Sequence, residues 1–170
     1  YSLEYLQLAR AHLNPGGVMT LFVQLYESNP EAVKSEISTF LEAFPHGVVW
    51  GNTQNGAGYD LVLMGTLEPI KIDVDKIEQT LKSPQYSRVA QSLSEIGMFS
   101  ATDLFSTYAG KRPDLDPWMA DAMINRDRNM RLQYLAGLGL NFYKSEAIYA
   151  EMLKYATRYP EELFAGSPAT

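Results

Sequence analysis

The sequence predicts an α/β domain that forms the carboxyl-terminal part of a larger sheet structure, and three observations predict it. Residues 18–24 (VMTLFVQ) are an almost continuous apolar run of β-formers, the pattern of a strand covered on both faces. An amphipathic helix and two further apolar strands follow, giving the order α-β-α-β-β. Three strands make a poor core beside so wide an apolar helix face, so further strands are expected on the other side of 18–24.

Each element has its own local reason. Leu3, Leu6, Ala9, Arg10 and Leu13 fall near one face of a helix over 1–13, which Asn14-Pro15-Gly16-Gly17 stops. In the second helix Ser28 or Asn29 can cap, Pro30 suits the first turn, and Glu31 favours the positive end of the dipole. Val33, Ile37, Phe40, Leu41 and Phe44 form its core-facing stripe, and Pro45 ends it. Strands are expected over 47–52 and 59–66, joined by a glycine-containing loop over 53–58 and paired antiparallel.

From residue 68 onward the pattern is helical. Short helices are expected over 73–81 and 85–96, the latter with Val89, Leu93 and Ile96 inward and Gly97 as its stop. Ser100 to Asp103 is a capping-box variant that opens a helix reaching residue 109. A Pro-containing loop over 111–116, a short helix over 118–123, a last amphipathic helix over 141–159 and a frayed tail over 166–170 complete the chain. The organisation expected is a sheet-bearing segment 1–72, its helical continuation 73–134 and a helical extension 135–170.

Composition narrows the function. With 170 residues, 46% of them hydrophobic and 20% charged, the chain can bury the core of one domain. A formal charge of -6 argues against nucleic acid, which needs clustered Lys and Arg. An acidic surface attracts cationic ligands, although solubility is its ordinary cause. The absence of cysteine excludes disulfides and thiolate metal sites, and His12 and His46 have no ligand-like spacing, so no metal site is expected. No apolar run approaches the roughly 20 residues needed to span a bilayer. The expected location is the cytoplasm, as a free protein or as the cytoplasmic domain of a membrane protein.

The opening residues, from Tyr1 through Asn14-Pro15-Gly16-Gly17 to Val18, resemble a stretch of class I methyltransferase-fold proteins and, more narrowly, of spermidine synthases (polyamine aminopropyltransferases). In that fold a helix ending in L-x-P-G-G leads into the fifth strand of a seven-stranded Rossmann-like sheet, and the seventh strand is antiparallel. The resemblance is closer to spermidine-synthase-like domains fused to transporter-like membrane segments. It rests on Val23-Gln24-Leu25-Tyr26-Glu27, Phe44-Pro45, the run from Asp60 to Gly65 (DLVLMG), and the run from Asn125 to Tyr134 (NRDRNMRLQY). It covers residues 1–134.

The resemblance implies the carboxyl-terminal half of that fold, strands five to seven, followed by a helical extension. It implies a transferase of polyamine biosynthesis, with decarboxylated S-adenosylmethionine or S-adenosylmethionine as cofactor and a small cationic amine as acceptor. In the family the glycine-rich cofactor loop and the acidic catalytic segment precede the stretch matched by Tyr1. The chain by itself is therefore expected to be inactive, with no catalytic or cofactor-binding residue of its own. A homodimer, and a membrane segment elsewhere in the full-length protein, are both compatible with it.

Five residues are candidates for the amine side. Gln24 ends the fifth strand, where ligand crevices of open α/β sheets lie; it matches a substrate-pocket glutamine, or is a polar strand end satisfied by loop backbone. Tyr26 and Glu27 follow it. Spermidine synthases usually show Q-x-E where this chain has Q-L-Y-E, a displacement of the carboxylate by one residue. Glu27 faces the amine or favours the helix after it by charge. Asn52 opens the loop between the last two strands, which borders the pocket in the family or is simply a turn. Asp127 belongs to the N-x-D segment with Asn125, as a rim hydrogen-bonder or a substrate contact. Arg126, Arg128 and Arg131 form an anion site or a solvated charged face. Trp50 and Trp118 read as packing residues. The competing reading is a non-catalytic module of the same fold, serving oligomerisation or regulation beside a membrane segment.

Overall fold

The computed structural model describes residues 1–54, 57–140 and 143–167. The first elements in chain order are α1 (Leu3–Ala11), β1 (Val18–Gln24), α2 (Pro30–Ala43), β2 (Val48–Gln54) and β3 (Ala57–Thr66). Next come β4 (Ile72–Asp73), α3 (Val74–Lys82), α4 (Ser87–Glu95) and α5 (Ala101–Phe105). The remainder comprises β5 (Tyr108–Lys111), α6 (Arg112–Leu115), α7 (Arg131–Ala136), α8 (Ser145–Leu153) and β6 (Phe164–Ala165). No helix among the described residues is long and apolar enough to cross a membrane.

The chain forms two compact units, each built from two stretches. The first joins Tyr1–Glu68 to Tyr108–Arg158; the second joins Pro69–Thr107 to the residues from Tyr159 onward. In the first, four strands pair in the order β1-β3-β2-β5, antiparallel at every step. Since β3 lies between β1 and β2 and opposes both, those two run parallel to each other. The fold is mixed α/β, with a mostly antiparallel sheet and several helices.

The core of this unit lies between one sheet face and α2. Leu21, Val23, Val49, Leu61 and Leu63 alternate inward along their strands and meet Val33, Ile37, Phe40, Leu41 and Phe44, the stripe expected on α2. Phe40 and Phe44 stack with centroids 5.0 Å apart, and a Cβ on Gly65 would lie 2.9 Å from the Phe40 ring. That glycine lets two phenylalanines sit directly on the sheet. Asn29 caps α2 by accepting from the Ala32 N–H at 2.9 Å, and Ser2 caps α1 from the Tyr5 N–H at 3.2 Å.

The structure corrects several expectations. β1 is not covered on both faces: it is the edge of the sheet among the described residues, and Val18 and Phe22 are each about half exposed. The helix expected to reach residue 109 stops at Phe105, and β5 follows it and pairs with β2. No helix forms over 118–123; Trp118 and Met119 are buried from a run of turns. β2 and β3 extend into the expected loop, of which residues 55 and 56 lie outside the described residues. The last helix is shorter than 141–159, and residues 141 and 142 are likewise outside the description. Its buried Ile148 and Met152 belong to the core of the first unit, which gives α8 a structural role the sequence had not suggested.

In the second unit β4 and β6 form a short parallel pair, continued by the Ile72 N–H donating to the Leu163 carbonyl at 2.7 Å. Asp73 caps α3, and the Glu78 carboxylate accepts from the Ala101 N–H at 2.7 Å, tying α5 to α3. Val89 and Ile96, expected inward, are 48% and 68% exposed. Two short strands and three short helices leave too little apolar area to cover both faces of α4.

Candidate functional site

Strand pairing assembles the site. Gln24 on β1 opposes Asp60 on β3, and Asp60 opposes Asn52 on β2, so three polar residues form one row across three strands. The row lies where β1 and β2 end and β3 begins. Asp60, on the central strand, is 5% exposed as a residue, and its carboxylate oxygens are not sealed from water without a partner. A carboxylate set between two side-chain amides on one strand row offers a cationic ligand a counter-charge and neighbouring acceptors.

A β-bulge adds an aromatic wall. Pairing steps from Asn52–Asp60 to Thr53–Gly58, so Tyr59 is the extra residue of β3. Its ring stacks on Tyr26 with centroids 4.7 Å apart and an interplanar angle of 23°. The Gln24 side-chain amide donates to the Tyr26 carbonyl at 2.7 Å, which fixes the turn and leaves the Gln24 amide oxygen as an acceptor. That bond is also the plainer expectation for Gln24, a strand end satisfied by loop backbone. Both consequences come from one geometry.

Glu27 is held by its backbone. Its φ of 50° is left-handed, and a Cβ on Gly139 would lie 2.9 Å from the Glu27 carbonyl oxygen and 2.7 Å from Ser28 Cα. The Asn29 side chain also donates to the Leu135 carbonyl at 3.0 Å. The segment from α7 to Gly139 therefore packs directly on the turn that carries Tyr26 and Glu27.

The structure brings Gln24, Tyr26 and Asn52 together and keeps Glu27 on the adjoining turn. Asp127 is bonded elsewhere. It is exposed, and its N–H donates to the Glu4 carboxylate at 3.1 Å; that carboxylate is held below its usual range by its own backbone amide, then by that of Asp127. The buried residue of the N-x-D segment is Asn125. It donates to the Tyr1 carbonyl, accepts from the Leu132 N–H, and takes the Thr39 hydroxyl oxygen on its own N–H. Arg126 pairs with Glu4 and Arg131 with Glu31, so these two guanidiniums answer glutamates. Trp50 packs edge-on to Tyr108 and Trp118 donates to Glu151, as packing residues.

Sequence reasoning missed Asp60 and Tyr59. A lone carboxylate opening an otherwise apolar strand was a readable signal for Asp60; the bulge that exposes Tyr59 leaves none. The chain matches no protein-family model, no curated protein and no solved structure.

Proposed function

We propose that this chain supplies the amine-acceptor wall of a spermidine synthase-like transferase, built on the carboxyl-terminal half of a Rossmann-like methyltransferase fold. The observation that carries the reading is the Gln24–Asp60–Asn52 row, which places a carboxylate between two side-chain amides across three strands. A small amine is cationic at neutral pH, and this row offers it an anion, two amide oxygens and the Tyr26–Tyr59 aromatic wall. Strand order supports the fold assignment: two parallel strands with an antiparallel third between them is the arrangement expected of strands five, seven and six. On this reading the sheet continues beyond β1 with strands carried elsewhere in the full-length protein.

The chain's own part is to bind and orient. Asp60 would hold the ammonium, Gln24 and Asn52 would fix its direction, and the tyrosine pair would exclude water from the alkyl chain. The sequence contains no glycine-rich cofactor loop, so these residues serve the amine alone and the sulfonium nucleoside would be held by other segments. Calorimetric titration of the full-length protein with decarboxylated and intact S-adenosylmethionine tests the reading. Binding of one of them is expected; binding of neither overturns it.

A second reading has one observation in its favour. The β1 edge, unpaired among the described residues and with Val18 and Phe22 half exposed, suits an assembly surface of a non-catalytic module. In that case the full-length protein binds neither sulfonium compound and its oligomeric state changes when Phe22 is made polar.

A further inference from the structure

The second unit contains a cavity of about 670 Å³ that the transferase reading does not use. Its walls follow from the fold of that unit. Parallel pairing of β6 with β4 brings residues 164–167 to the first turn of α3, and the Glu78–Ala101 bond sets α5 against α3. Phe105, Phe164 and Tyr159 line the space. Their rings are close neighbours: Phe105 and Phe164 are 5.6 Å apart between centroids, and Tyr159 and Phe164 are 5.9 Å apart.

Among the described lining residues Asp75 is the one charged side chain, and no Lys or Arg accompanies it. Asp75 accepts from the Ser167 hydroxyl at 2.8 Å and the Ser167 N–H at 2.7 Å through the same carboxylate oxygen, leaving the other oxygen uncommitted by those bonds. The Ser167 hydroxyl, and then its amide, hold the Asp75 carboxyl below its ordinary range, so it is anionic at neutral pH. Three aromatic rings border the space, and a ring face open to it attracts a cation through its quadrupole, while the Asp75 carboxylate adds a counter-charge. Neutral hydrophobes gain only the apolar contact, and anions are repelled.

We propose that this cavity is a binding site for an apolar ammonium group, a quaternary or methylated amine, carried either by a small molecule or by the side chain of a methylated lysine. The volume is in the range of small-ligand sites, so a headgroup with several carbons fits. The proposal concerns the second unit alone and does not depend on the amine row of the first.

The test uses the whole chain and follows the backbone amide signals of Gly166 and Ser167 by NMR. Choline and a trimethyllysine peptide are titrated against 3,3-dimethyl-1-butanol, the neutral isostere of choline. Saturable shifts with a cation, and affinity about tenfold weaker for the isostere, are expected. Tighter binding of choline identifies a small-molecule source; tighter binding of the peptide identifies a protein side chain. Phe164→Leu and the exposed-ring variant Tyr159→Leu should each weaken the cation about three- to tenfold. Asp75→Asn should weaken it at least as much while leaving the isostere unchanged. If Phe164→Leu fails to fold, Tyr159→Leu and the isostere comparison still decide. Equal affinity for cation and isostere, or no shift with either cation, overturns the proposal.

Discussion

The ring of Tyr149 on α8 occupies the space that a Cβ on Gly51 would need, and the base of the same side chain blocks a Cβ on Gly58. Two glycines on neighbouring strands thus seat one tyrosine, and burial pushes the Tyr149 hydroxyl above its ordinary range. Gly51→Ala should destabilise the first unit by about 1–3 kcal/mol, because the sheet and α8 must move apart. Urea denaturation measures this. Tyr149→Ala combined with Gly51→Ala should recover part of the loss, since the collision partner is gone.

The amine row makes an unusual prediction about Asp60. Asp60→Asn should lower diamine affinity of the full-length protein about 10- to 100-fold, the size of a charge-assisted contact. Stability should change little, because asparagine has nearly the same shape as aspartate and the change leaves the strand packing in place. Parallel calorimetry and thermal melts check the pair of outcomes. Lost stability with unchanged affinity would mean that Asp60 is a structural residue.

Glu27 offers a way to separate backbone from side chain. Glu27→Gly should stabilise the chain by about 0.5–1 kcal/mol, since glycine accepts the left-handed conformation freely. If its carboxylate faces the amine, the same change weakens diamine binding; unchanged affinity would confine Glu27 to the turn. Gly139→Ala is expected to do the opposite to the fold. It sets a Cβ against the Ser28 backbone, should cost about 2 kcal/mol, and should loosen Tyr26.

Glu36 on α2 gives a pH signature. Burial pushes its carboxyl up to about 7 from 4.5. Below pH 4.5 the group is protonated in both states and contributes no penalty. As pH rises, the unfolded chain releases the proton first, so stability falls between 4.5 and 7 and levels off above. The loss is about 3 kcal/mol. Glu36→Gln should flatten that slope and be more stable than the parent at pH 8, as urea unfolding across pH would show.

Much of the fold was legible because its signals are local. The cap at Asn29, the proline after it and the apolar stripe to Phe44 specify α2 within one short stretch of sequence, and the runs in β1 and β3 specify strands by composition. β5 was not legible. Tyr108 to Lys111 is four residues long, contains Gly110 at φ +136°, and is a strand only because β2 offers it an edge. Val89 and Ile96 were expected inward by periodicity, but periodicity cannot say whether a partner exists to cover them. At the site, Gln24 and Asn52 follow from strand ends. Their meeting with Asp60 and Tyr59 depends on register and on a one-residue bulge, both settled by pairing between segments distant in sequence.

The two-stretch construction of the second unit bears on the order in which the protein is made. Residues 69–107 leave the ribosome before the strand that completes them, because β6 emerges only after the whole 108–158 stretch has been synthesised. Ile72 thus waits for Leu163 and Phe164 through the birth of β5, α6, α7 and α8. When that interval ends the first unit has all of its residues and the second does not, with Phe105 uncovered by Phe164. A translational stall near residue 158 would release a polypeptide whose sheet is intact and whose aromatic cavity was never closed.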